Sequence, residues 1–202
     1  MSKIALKSAE AGTATFTIEA PATNTDRIFE LPDEAGKILT DVGVPTSAMP
    51  TGSVLQVVQG TTSTGTTTTS ASFSDTGLQA SISPNNANNK ILVSISQPFF
   101  SSREREFAAL FGLKLFRDST EIVYISEKLG ITAQKGDEGG KSMFDGVINY
   151  SYIDSPSSTS ELTYKTQFNN RAGGSQNSIA GVNRDSDGNS YLSTIILMEI
   201  AG

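Results

Sequence analysis

Residues 161–168 read ELTYKTQF, and their order is that of a strand with one dry side and one wet side. Leu162, Tyr164, Thr166 and Phe168 fall on one face of an extended chain, while Thr163, Lys165 and Gln167 fall on the other. The same period of two returns along most of the chain between turns rich in Ser, Thr, Asn and Gly. Candidate strands are 54–59, 73–82, 90–97, 107–117, 121–126, 142–153, 161–168 and 191–200, the last within the closing sequence STIILMEIAG. This many short strands predicts an all-β fold: a C-terminal antiparallel β-sandwich, jelly-roll-like, behind a small N-terminal β region.

One segment competes for helix. SREREFAALFGLKLF, residues 102–116, has Phe107, Leu110 and Phe111 at helical spacing, but Lys114 then falls on the apolar stripe. A strand places Ala109, Phe111, Leu113 and Leu115 together and leaves Arg117-Asp118-Ser119-Thr120 to turn the chain into 121–126, so a hairpin is predicted.

Three regions follow. Residues 1–52 hold three short extended pieces punctuated by Pro21, Pro32, Gly36, Pro45 and Pro50, too few apolar side chains to offset a backbone ordering cost of about 1–2 kcal/mol per residue. This N-terminal region is expected to attach to copies of itself or to a host structure. Residues 53–72 contain a first strand, which belongs with the sandwich, and the tract GTTSTGTTTTSAS at 60–72; its composition suits either a flexible linker or a β-rich segment of exposed threonines, and if ordered it is expected to pack against a partner. Residues 73–202 form the distal sandwich.

Of the 202 residues, 37% are hydrophobic, which suggests that part of the core is made between chains. Histidine, cysteine and tryptophan are absent, removing the usual general base, the thiolate nucleophile, the best transition-metal ligands and any disulfide. No cofactor and no catalytic residue is nominated. A formal charge of −6 with scattered basic residues argues against nucleic acid as partner. No apolar run reaches the length of a secretion signal or a membrane span, so neither membrane insertion nor export by the general secretion route is expected; release within a larger particle is the simpler route.

Some constellations invite chemistry. Lys135 to Ser142, KGDEGGKS, lacks the first glycine of a phosphate-binding loop and reads as a solvated contact loop. Asn183 to Asn189, NRDSDGN, offers Asp185, Asp187 and Asn189 at alternate positions with Gly188 sixth, as in a calcium loop; the last ligand position holds Thr194, and a plain turn is the stronger reading. Arg103, Glu104, Arg105 and Glu106 read as a solvated charged edge.

Gly12-Thr13 with Ala20-Pro21, then Leu31-Pro32 and Gly36 to Thr40, resembles the motif GTxTFTIxAPxT…LPxxxGxILT of bacteriophage tail-fibre and related virion proteins. Downstream, GSVLQVVQGTTST, SFSDTGLQASISPNNANNKILV, LKLFRDSTEI, IDSPSSTSELTYKTQF and STIILMEI are similar, in order, to the distal domain of fibre-like structural proteins of marine phages and cyanophages. The resemblance implies a virion protein made in the host cytoplasm, usually a homotrimer. Its N-terminal part would join other virion proteins, and its β-sandwich tip would engage a host-surface glycan or outer-membrane protein. Host contact is expected from 127–141 and 171–189, with Lys135, Asp137, Glu138, Lys141, Arg171 and Asn177 as candidates. A capsid decoration, head-fibre or neck protein is the alternative within the class, and a polysaccharide-degrading enzyme the alternative outside it.

Overall fold

The computed structural model describes residues 49–104, 108–131, 141–172 and 178–202. The motif residues 12–40 and candidates Lys135, Asp137, Glu138 and Asn177 lie outside them. Ten strands occupy the described residues: β1 (Val54–Thr62), β2 (Thr66–Thr68), β3 (Ser74–Ile82), β4 (Lys90–Glu104), β5 (Ala109–Arg117), β6 (Thr120–Ile131), β7 (Lys141–Asp154), β8 (Leu162–Asn170), β9 (Ser178–Val182) and β10 (Ser193–Ile200). The fold is all-β, two antiparallel sheets packed as a sandwich.

The long strand β4 organises the first, six-stranded sheet. Along one edge it pairs with β10 over Lys90 to Ser96 and then, in line, with β9 over Phe99 to Arg103. Along the other edge it pairs with β7 throughout. Strand β1 lies outside β10 and β2 outside β9. The second sheet runs β3-β8-β5-β6.

Alternation explains which side chains meet between the sheets. Leu162, Tyr164, Thr166 and Phe168 of β8 are buried, as are Ala109, Phe111, Leu113 and Leu115 of β5. The hairpin reading of the helix-like segment therefore holds. Lys114, which a helix would have placed on the apolar stripe, turns away from the core, donates to Glu121 Oε2 at 2.6 Å and lies 4.4 Å from the centre of the Phe73 ring.

The core is two apolar clusters with polar side chains between them. One gathers Leu78, Ile91, Val93, Ile95, Leu115, Tyr164, Ile195 and Leu197; the other gathers Phe99, Phe111, Leu113, Phe168, Ala180 and Val182. Gln97 stands between Ile95 and Phe99 on β4, and Thr166 between Tyr164 and Phe168 on β8, both fully buried. Thr166 Oγ1 donates to Gln97 Oε1 at 2.9 Å and lies 2.6 Å from Thr76 Oγ1, so each polar group has a partner and its burial is tolerated. The modest apolar share thus closes the interior of this sandwich within one chain.

Some expectations are corrected. The threonine tract is not a flexible linker throughout: β2 pairs with β9, and Asn183 Nδ2 donates to Thr64 O at 2.9 Å. Arg103 is no solvated edge but 3% exposed, because β4 runs on through Pro98 to Glu104 and turns Arg103 inward. The segments expected as contact loops are partly strand, since 127–131 ends β6, Lys141 opens β7, and 178–182 is β9. The final strand begins at Ser193, two residues later than predicted.

Candidate functional site

The registers sort the connections to two ends. Val54 pairs with Ile200 and Ile200 with Lys90, so the described chain enters, and Gly202 leaves, at the Lys90 end of β4. At the other end Glu104 faces Lys141, Ala109 faces Ile131, Phe111 faces Asn170 and Arg103 faces Ser178. The connections holding Lys135, Asp137, Glu138 and Asn177 therefore all leave from the end opposite chain entry. The 15 residues of β4 place roughly 45 Å between the two. Arg171 stands at that far end, exposed, with Nη2 2.9 Å from Glu127 Oε1.

Residues 183–192 carry a second feature. They join β9 to β10, which lie in line along β4, and so must leave the strand path and return. Asn183 makes this possible: its φ of 60° turns the chain, and its buried side chain fixes the turn. Nδ2 donates to Thr64 O and Thr76 O, while Oδ1 accepts from Gln97 Nε2 and from Ser193 Oγ at 2.6 Å. The excursion closes on itself through the Arg184–Ser190 bridge and is tied to β7 where Ser186 N and Oγ both donate to the Asp145 carboxylate.

Asp185 acts as the cap of this turn. Its carboxylate accepts from Asp187 N at 3.0 Å, Asn189 N at 2.8 Å, Asn189 Nδ2 at 2.8 Å and Tyr191 Oη at 3.3 Å. The Asn189 side-chain bond, with help from the other donors, holds the Asp185 pKa below its ordinary value against slight desolvation. The nearby Asp185 charge raises the Tyr191 phenol in turn. The Asp185 carboxylate is thus engaged by N–H donors and the Tyr191 hydroxyl within the turn, and Asn189 presents its amide N–H to it. Among the described residues no group of three or more His, Cys, Asp or Glu stands placed to hold a metal ion.

Between this excursion and β7 lies a depression of about 260 Å³ lined by Pro98, Phe99, Asp145, Gly146, Val147, Arg184, Asp185 and Tyr191. Pro98 and Val147 are register partners and form its floor. Tyr191 and Val147 remain 47% and 54% exposed. The Arg184 guanidinium lies 5.8 Å from the Phe100 ring centre, with Nε donating to Asp185 O. The depression combines an apolar floor, an aromatic ring, one cation and two carboxylates. The lowered pKa of Asp185 keeps it ionised near neutrality, where the four donors of its own turn engage it. Sequence reading named Asp185 but passed over Asp145, Val147 and Tyr191. The signal for Val147 was present in β7, where Met143, Val147 and Ile153 are apolar on the side opposite Phe144, Ile148 and Tyr152.

That outward side carries a third feature. Val57, Met198, Leu92 and Ile153 are successive register partners across β1, β10, β4 and β7, so they form one apolar row about 14 Å long on the outer face of the first sheet. Val57 and Ile153 are 58% and 59% exposed.

No family model and no curated protein matches the chain. Among solved structures, it is similar to the infectious bursal disease virus VP2 subviral particle, with TM-score 0.39 and 11% identity over 74% of this chain. It is also similar to the structure of the infectious bursal disease virus Gt strain, with TM-score 0.39 and 12% identity over 81%. The chain spans 38% and 43% of the length of those two chains, respectively. Among the described residues no helix is long and apolar enough to cross a membrane.

Proposed function

We propose that this chain is a bacteriophage virion structural protein, a fibre or tail appendage rather than an enzyme. In this reading it works as a homotrimer: the N-terminal region joins other virion proteins and the opposite end of the sandwich engages the host surface. The observation that carries the reading is the separation of ends. Chain entry lies at the Lys90 end of β4, and the connections holding Lys135, Asp137, Glu138 and Asn177, with Arg171 beside them, leave from the Glu104 end. A protein anchored by one end and read at the other needs that polarity.

The outward row supports the trimer. Fully burying one aliphatic side chain contributes about 1.5–3 kcal/mol, and Val57 and Ile153 leave much of that unrealised in a single chain. Sister chains are a fitting cover, because a trimer also presents three sets of loops in one direction. Linking several weak contacts raises avidity by factors on the order of 100 to 10,000.

Replacing the connections 105–108, 132–140 and 173–177 with short Gly/Ser turns tests the role. Binding of the protein to host cells, followed by fluorescence, is expected to fall at least tenfold (about 1.4 kcal/mol) while thermal unfolding stays cooperative. Unchanged cell binding with these connections gone contradicts the attachment role. Incubation with host polysaccharide is expected to release no shorter fragments.

A further inference from the structure

We propose that Asp187-Gly188 is a site of spontaneous modification, where the Asp187 side chain takes over the main chain and leaves an isoaspartyl linkage in the excursion that joins β9 to β10. This excursion starts beside Pro98, midway along β4, so the modification is independent of the far-end connections and goes beyond the attachment role.

The reaction needs no reagent but water. Gly188 N attacks Cγ of the protonated Asp187 carboxyl; the N–Cγ bond forms, the Cγ–OH bond breaks, and the hydroxyl leaves with the amide proton as water. The product is a five-membered succinimide. Water then adds to one of its two carbonyls, and addition at the main-chain carbonyl breaks the bond from that carbon to Gly188 N, so the chain now runs through Cβ and Cγ of Asp187. Nothing is oxidised or reduced, and the final mass equals the starting mass. Glycine in the second position favours ring closure, because no Cβ crowds the attacking nitrogen.

The fold selects between two copies of the same dipeptide. Asp-Gly occurs at 145–146 and again at 187–188. Asp145 and Gly146 lie inside β7, paired with Phe100 and Phe99 of β4, and the Asp145 carboxylate accepts from Ser186 N at 2.8 Å and Ser186 Oγ at 3.1 Å. Ring closure there would swing the backbone out of its ladder and strip the carboxylate of two donors. Asp187 and Gly188 are instead exposed on the turn. Among the described residues nothing donates to the Asp187 carboxylate, and Gly188 N reaches Asp185 O only at 3.3 Å, longer than the usual N–H to oxygen bond. A local opening of this turn is enough to bring Gly188 N against Cγ.

The new linkage puts one extra atom into the main chain at the point that Asp185 caps. Asp187 N and Asn189 N, on either side of that link, donate to the same oxygen, Asp185 Oδ1, at 3.0 and 2.8 Å, and Asp185 N donates to Asn189 O at 3.0 Å across it. The lengthened chain breaks this set of bonds and loosens Ser186 from Asp145, the tie that holds the excursion on β7. Asn183 lies before the link, and its side chain keeps its bonds to Gln97, Ser193, Thr64 and Thr76, so the sandwich itself is left intact.

The test incubates the full chain for several weeks at physiological temperature and neutral pH, folded and in concentrated urea. Isoaspartate at each Asp-Gly is then read by electron-transfer fragmentation of the peptides, which distinguishes the two linkages at equal mass. In urea the two dipeptides should convert at rates within about threefold of each other, and in the folded chain Asp187 should convert at least about tenfold faster than Asp145. Asp187→Glu, which keeps the charge at an exposed position but would have to close a six-membered ring, should stay unmodified with the melting temperature of the parent. In the modified chain, hydrogen exchange at the Ser186 and Asn189 amides should run at least about tenfold faster than in fresh protein. Equal conversion of Asp145 and Asp187 in the folded chain, no isoaspartate at Asp187 over a time in which the unfolded chain forms it, or unchanged exchange at both amides overturns the proposal.

Discussion

Glu199 sits on the inward side of β10 beside Ile195 and Leu197, fully buried, and owes its place to four donors. Gln56 Nε2, Asn85 N, Asn85 Nδ2 and Asn89 Nδ2 all lie within 2.7 Å of its carboxylate oxygens. Burial alone would raise its pKa; the bonds from Asn89, Gln56 and Asn85 outweigh burial and hold it below its ordinary value of 4.5. A carboxyl whose pKa is lower folded than unfolded contributes stability that is present above pH 4.5 and lost as the pH falls through the folded value. Glu199→Gln should therefore cost about 1–3 kcal/mol at pH 7, measured by urea unfolding, and the gap to the parent should narrow as the pH drops below 4. An equal gap at both pH values would contradict this role. Alternation in STIILMEI does not put Glu199 inside, because Ile196, Met198 and Ile200 form the more apolar of its two faces. The partners of Glu199 stand 110–143 residues away in sequence, and nothing local announces them.

At the scale of elements, the sequence was most legible where period-two alternation is long and uninterrupted. Strand β8 and the β5–β6 hairpin follow their predicted faces. Strands β2 and β9 were missed because each is short and has little apolar content of its own: TTT, and SIAGV beside residues rich in Ser, Asn and Gly. What makes them strands is pairing with each other and with β4, a tertiary cause. Strand β4 outran its prediction because Pro98 reads as a stop, yet in this sheet the proline carbonyl accepts from Asn183 N at 3.0 Å and the strand continues. Gly60 shows how tightly elements from opposite sheets approach. A Cβ there would lie 1.9 Å from Gln79 O, a backbone atom of β3 that cannot swing aside. Gly60→Ala should destabilise the sandwich by about 1–3 kcal/mol, seen as a lower urea midpoint at unchanged slope. An unchanged midpoint would show that β1 and β3 can separate at no cost.

For the whole molecule, the chain closes one sandwich interior by itself and still leaves an apolar row outside. Composition suggested a shortage of apolar side chains, but it could not say where the shortage falls. Gln97, Thr166 and Thr76 fill the middle of the core with mutually bonded polar groups, while Val57, Leu92, Met198 and Ile153, of the opposite parity on their strands, face outward. The candidate site was less legible than the fold for a related reason. Its depression draws Pro98, Asp145, Arg184 and Tyr191 from three separate stretches of sequence, and the register of β4 with β7 together with the Ser186–Asp145 tie brings them together. The trimer proposed for this chain rests on that outward row, and light scattering coupled to size exclusion tests it most directly. At micromolar concentration the full chain should run with the mass of three copies, and Ile153→Asp, at an exposed position, should run as one copy with its melting temperature within a few degrees of the parent. A parent protein with the mass of a single chain would contradict the account.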